Sequence, residues 1–143
     1  SSSPAAPSSH CGMGAGDFPV PPDPVCVAPA VLNQACIIAA RSQYQQDMQN
    51  LATIACLAHT IAVQNWNLAM DSAISAYNTC MGSATTVAQQ QACKRALKDA
   101  SAAATKTMTA AIAAAEAAYD VGAAALSANF GAGCCITPDT GGG

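Results

Sequence analysis

The chain has 143 residues, a net charge of −3 and only 9% charged residues, against about 25% in an ordinary globular domain. This length limits it to one domain, and the weak acidic charge offers nothing to draw in a nucleic acid or an anionic membrane surface. Hydrophobic residues reach 52% while aromatics stay at 4%, so the apolar material is small and a conventional thick core is excluded.

Residues 1–28 read as an extended N-terminal tail rich in proline, serine and glycine. Seven of the eight prolines fall within residues 1–29. Ser1–Ser9 has the composition of a flexible or O-glycosylatable stalk. Phe18-Pro19-Val20-Pro21-Pro22-Asp23-Pro24-Val25 should run close to polyproline II. Composition alone argues for disorder here, but Cys11 and Cys26 require that the tail be held. At roughly 3 Å per residue it has the reach to lie along its own chain or to cross to a neighbour.

The stretch from 29 to 130 predicts an all-α fold: a long, antiparallel, alanine-rich and coiled-coil-like two-helix hairpin, stapled by disulfides. A first helix is expected over 29–81. Pro29 suits the first helical position, where a missing N–H costs nothing, and Gly82 suits a left-handed stop. A turn follows at 82–86. Thr86 and Gln89 have the spacing of a capping box and open a second helix over 87–130. That helix ends at Asn129-Phe130-Gly131 and contains Gly122, which costs about 1 kcal/mol relative to alanine. Residues 131–143 form a glycine- and cysteine-bearing C-terminal tail.

Three- and four-residue steps pick out a seam along each helix, the mark of helices that pack lengthwise at a shallow angle. On the first it reads Tyr44, Met48, Leu51, Ala55, Ala58, Ala62, Trp66, Ala69, Ala73, Tyr77, Cys80. On the second it reads Cys93, Ala96, Ala100, Ala104, Thr107, Ala111, Ala114, Ala118, Ala125. Replacing leucine by alanine in a core gives up roughly 2–5 kcal/mol per site, so such a seam is weak. A second apolar stripe is left over: Ile54, Leu57, Ile61 and Leu68 on one helix, and Leu97, Met108, Ile112, Tyr119 and Leu126 on the other. Trp66, the one large aromatic of the mid-helix, reads either as a seam residue opposite Thr107 or as an interface anchor. Two helices cannot bury both stripes, and a large apolar surface marks an interface.

The first helix carries amides in place of charges (Gln34, Gln43, Gln45, Gln46, Gln49, Asn50, Gln64, Asn65, Asn67), which read either as a solvated face or as groups able to hydrogen-bond between subunits without burying charge. In the second, Lys94, Arg95, Lys98 and Lys106 precede Glu116 and Asp120, against the helix-dipole preference. This order points to pairing across helices or subunits.

Eight cysteines without zinc-type C-x-x-C spacing read as a disulfide framework formed in an oxidising compartment. A start at Ser1 without methionine fits a mature chain whose leader has been removed, and equally a trimmed one. No apolar run reaches the ~20 residues a membrane span needs. A turn centred on 83–86 places Cys80 opposite Cys93. Cys36 lies where the first helix outruns the second, within reach of Cys134 or Cys135. A bond between those two neighbours would be strained, so separate partners are expected. Cys56 faces no cysteine in the hairpin. It must pair with a tail (Cys11, folded back from Cys26, could reach it) or with another subunit, or stay buried and free. Each bridge contributes typically 2–4 kcal/mol, enough together to offset a thin core.

His10-Cys11-Gly12-Met13, and Met48, Cys56 and His59 with Met70 and Met81, have soft donors suited to Cu(I). Methionines at helical spacing are more often packing, and no metal is expected. Cys56 and His59, one turn apart, imitate a thiol nucleophile but lack a positioned acid. No paired carboxylates, phosphate loop, C-x-x-C-H or Ser-His-Asp arrangement occurs, so neither an enzyme nor a cofactor is expected. The reading that remains is a secreted structural subunit, assembling with copies of itself into an extracellular filament, pilus-like or sheath polymer whose tails strap neighbours. The alternative is a secreted binding module, a dimeric four-helix bundle holding a metal, haem or lipid.

Overall fold

The computed structural model describes residues 10–138; the Ser1–Ser9 stalk and the last five residues lie outside the described part. Two long helices pack antiparallel. Helix α1 spans Gln34–Ser83 and helix α2 spans Val87–Ala128, 50 and 42 residues. Two short strands, β1 at Val31–Leu32 and β2 at Cys135–Ile136, pair antiparallel with Val31 opposite Ile136. No helix among the described residues is long and apolar enough to cross a membrane. The chain divides into two compact units, one holding residues 55–117 and the turn, the other holding residues 10–54 and 118–138.

The helix ends follow from local hydrogen bonding. The capping box expected at Thr86 is present: Gln89 N–H donates to Thr86 Oγ1 at 3.1 Å, and Thr86 N–H donates back to Gln89 Oε1 at 3.2 Å. Thr85 N–H shares that oxygen at 2.7 Å. At the other end of the hairpin the expectation of Pro29 as first helical residue is corrected. Ala28–Pro29 is a cis peptide in a turn closed by Ala30 N–H to Val27 O at 2.9 Å. Asn33 caps α1 instead, its Oδ1 accepting from Cys36 N–H at 2.9 Å. An asparagine oxygen satisfies a free helix N–H that proline at the first position cannot. Gly82 is likewise corrected: it is not left-handed, and α1 runs through it to Ser83, whose hydroxyl donates to Thr79 O. The glycine stop after α2 holds, since Gly131 has φ +73°.

In the unit of residues 10–54 and 118–138, Phe18, Tyr44, Met48 and Ala52 form a buried cluster. Met13, Leu51, Tyr119, Ala123, Leu126 and Phe130 pack against it. Tyr44 and Phe130 meet edge to face at 5.7 Å, the geometry favoured by the ring quadrupoles. The N-terminal tail, expected to be held either along its own chain or on a neighbour, is docked on its own chain here. Gln45 donates to Phe18 O at 2.6 Å and accepts from Gly16 N–H at 2.9 Å. Arg41 pairs with both oxygens of Asp23 at 2.9 Å, and His10 stacks on Tyr119 at 3.8 Å. Amide, ion-pair and ring contacts hold it there.

Two glycines allow close approach. A Cβ on Gly122 would stand 2.9 Å from Leu51 Cδ2, which explains a glycine inside a helix. Gly122→Ala gains about 1 kcal/mol of helix propensity but must displace the Leu51 methyls, whose ends can rotate. The net change by urea denaturation is expected within about 1 kcal/mol of zero, whereas Gly122→Leu should cost about 1–3 kcal/mol by overpacking. A Cβ on Gly131 would stand 2.8 Å from the ring of Pro24 and 3.1 Å from Ile37 Cδ1. A proline ring cannot rotate away, and the positive φ adds about 1–2 kcal/mol for any other residue. Gly131→Ala is expected to cost about 2–3 kcal/mol, read by the same denaturation.

In the unit of residues 55–117 the buried side chains are Ala55, His59, Ala62, Cys93 and Met108. Met108, Leu97 and Ile112 were expected on an outward stripe and Ala96, Ala100 and Ala111 in the seam. This face of α2 is corrected. Met108 is buried, Leu97 and Ile112 are half-buried, and Ala96, Ala100 and Ala111 are exposed. Tyr119 and Leu126, assigned to the same stripe, pack on the cluster of the other unit. The larger side chains remove more apolar area from water than alanine does, so they turn inward.

Candidate self-association surface

Three bridges are defined: Cys26–Cys135, Cys36–Cys134 and Cys80–Cys93. The Cys80–Cys93 staple stands as the turn position required, and Cys134 and Cys135 take separate partners. Cys11 and Cys56 are also disulfide-bonded, and no cysteine is free. Cys56 therefore has no thiol for nucleophilic catalysis or metal binding, and of the three alternatives open to it the one in which it stays free is removed. A fully oxidised set of eight fits an oxidising, extracellular environment.

The copper reading gathers no site. Met48 lies in the apolar cluster, His10 is stacked on Tyr119 and His59 is buried on α1. Among the described residues no group of three or more His, Cys, Asp or Glu side chains is placed to hold a metal ion.

What stands out is apolar surface. On α1, Ile54, Leu57, Ile61 and Leu68 are 63, 58, 45 and 67% exposed. Of the ten side chains assigned to an interface from sequence, these four are open to a partner. Trp66 is half-buried, and the five on α2 are buried or half-buried in the hairpin. Trp66 Nε1 donates to Thr105 Oγ1 at 3.0 Å, two residues from the Thr107 that the register suggested. That bond sets the indole as one wall of an open groove of about 580 Å³. The groove is lined mostly by alanines, including Ala69, Ala73, Ala100 and Ala104, with Met108 and the polar Asn65, Ser72 and Thr107. Alanine fills too little space to close the gap between the helices on this side.

Several exposed apolar side chains escaped the sequence reading, Val121, Val87 and Ile38 on the helices among them, and the two most exposed lie in the tail. Val25 and Val27, in the tail, are 93 and 81% exposed. Valine in a proline-rich stretch gives no periodic signal, so only the docked conformation reveals them.

The architecture is that of a disulfide-clasped helical hairpin with an uncovered apolar flank. No family model matches the chain, and no curated protein or solved structure matches it.

Proposed function

We propose that this chain is a secreted structural subunit that assembles with copies of itself into an extracellular filament, pilus-like or sheath polymer. The observation that carries the reading is the row Ile54, Leu57, Ile61 and Leu68, left in water by a chain that has little charge to keep it soluble. Area supports it. The chain exposes 9036 Å², both termini counted, against about 6,800 Å² for a compact monomer of its mass. The difference, up to about 2,300 Å², leaves room for two patches of about 800 Å² each, the share one partner gives to a standard interface. Two distinct patches per copy are what an open polymer requires. Because the cysteines are engaged, the contacts between copies are non-covalent, and strapping by the tail falls to its exposed valines.

Sedimentation velocity and electron microscopy of the oxidised full chain test this. Assemblies are expected at micromolar concentration, dissolving in detergent to a 14.2 kDa band without reductant. Leu57→Lys with Leu68→Lys should abolish them. A monomer at every concentration removes the reading. A fixed dimer carrying a metal, haem or lipid replaces it with a closed four-helix bundle.

A further inference from the structure

The tail segment 24–31 is held at several points. The Pro24 ring abuts Gly131, Cys26 is bonded to Cys135, Ala30 N–H closes a turn on Val27 O, and Val31 pairs with Ile136. Val25 and Val27 flank the anchored Cys26 and are the two most exposed large apolar side chains among the described residues. A loose tail loses entropy on docking. A segment fixed in advance loses little, so pre-organised valines are a ready binding element.

Resting on the self-assembly reading, we propose that Val25 and Val27 of one copy seat in the alanine-lined groove beside Trp66 of the next copy. The occupant fits on chemical grounds. The lining is mostly alanine with Trp66 and Met108, carries no charged side chain, and has Asn65, Ser72 and Thr107 as its polar members. A valine pair brings branched methyls and no charge of its own. Asp23, the nearest acid in sequence, is neutralised by Arg41. The tooth uses residues 25–27 and the groove residues 62–111, with none shared. The contact is therefore heterologous, each copy offering one tooth and one groove, and such contacts propagate when they do not close on themselves. The surface left exposed exceeds what one such interface takes from each partner.

Trp66 is the single tryptophan of the chain, so its fluorescence reports the groove directly. In the oxidised full chain, acrylamide quenching of Trp66 is expected to fall several-fold as concentration rises through assembly, with a blue shift in emission. Val25→Ser with Val27→Ser should keep the circular dichroism and disulfide map of the parent while Trp66 stays quenchable and assembly is lost or weakened at least tenfold. Ala69→Phe, which fills the groove, should weaken assembly in the same way. A valine variant that assembles like the parent with Trp66 protected overturns the tooth-in-groove contact and leaves self-assembly standing. So does a parent polymer in which Trp66 remains quenchable. A parent that never assembles overturns both.

Discussion

Replacing Cys36 and Cys134 by alanine is expected to cost about 3 kcal/mol, and removing Cys26–Cys135 as well is expected to raise the loss to about 8 kcal/mol. The asymmetry comes from loop topology. Cys36–Cys134 spans 98 residues and Cys26–Cys135 spans 109. Closing a loop of that size alone removes about 4.7 kcal/mol of chain entropy from the unfolded state. Once either bridge is present, the second closes only the small ring made by residues 26–36 and 134–135, worth about 3 kcal/mol. Each bridge is therefore backed by the other, and the single losses should sum to less than the double loss by about 2 kcal/mol, a coupling that a double-mutant cycle reads directly. With domain stabilities of about 5–15 kcal/mol, the single variants should stay folded at 25 °C. The variant lacking both bridges should be largely unfolded. Alanine suits Cys134, which is buried, because a serine hydroxyl there would add an unpaired polar group. Urea denaturation followed by circular dichroism measures all three. A double loss equal to the sum of the two single losses would show that the two bridges do not act on one loop.

Phe18→Ala carries the second large effect, about 3–5 kcal/mol, the usual cost of removing a buried phenylalanine. Phe18 is 4% exposed and is the one tail residue in the cluster with Tyr44, Met48 and Ala52. Its loss opens a cavity and leaves Gln45, which binds the carbonyl of Phe18 and the N–H of Gly16, without a fixed partner. Because Cys11 and Cys26 both stay disulfide-bonded, the loop of residues 12–25 between them should loosen while β1 and β2 remain paired. Hydrogen exchange should show this as faster exchange of Gly16 and Asp17 amides at unchanged protection of mid-α1 amides. The conservative Phe18→Leu should recover most of the stability. Uniform loss of protection along α1 would mean that the tail supports the whole hairpin.

The helices, the capping box at Thr86, the Gly131 stop and the Cys80–Cys93 staple were legible because each depends on residues within a few positions of one another or on the register of the turn. Asn33 could have been read as a cap from its side chain, but Pro29 offered an equally good local signal. Only pairing of Val31 with Ile136, a contact across the whole chain, decides between them. The face of α2 was misread for a physical reason. Where alanine occupies most positions, period alone admits adjacent stripes, and the choice falls to the few large residues such as Met108 and Leu97. Docking of residues 10–18 was invisible because it rests on Gln45, a residue with no reason in sequence to bind backbone. On the candidate surface, Ile54, Leu57, Ile61 and Leu68 could be named from spacing, while Val25 and Val27 could not.

The clasp at the base also decides where mechanical load would go. A tug arriving at the strand around Cys26 and leaving past Cys135 crosses a single sulfur–sulfur link, so the intervening 109-position path through both rods stays slack. A pull applied at the groove of residues 62–111 would, by contrast, run along both helices to that clasp, so a fibre joined there would load its rods as well as its joints.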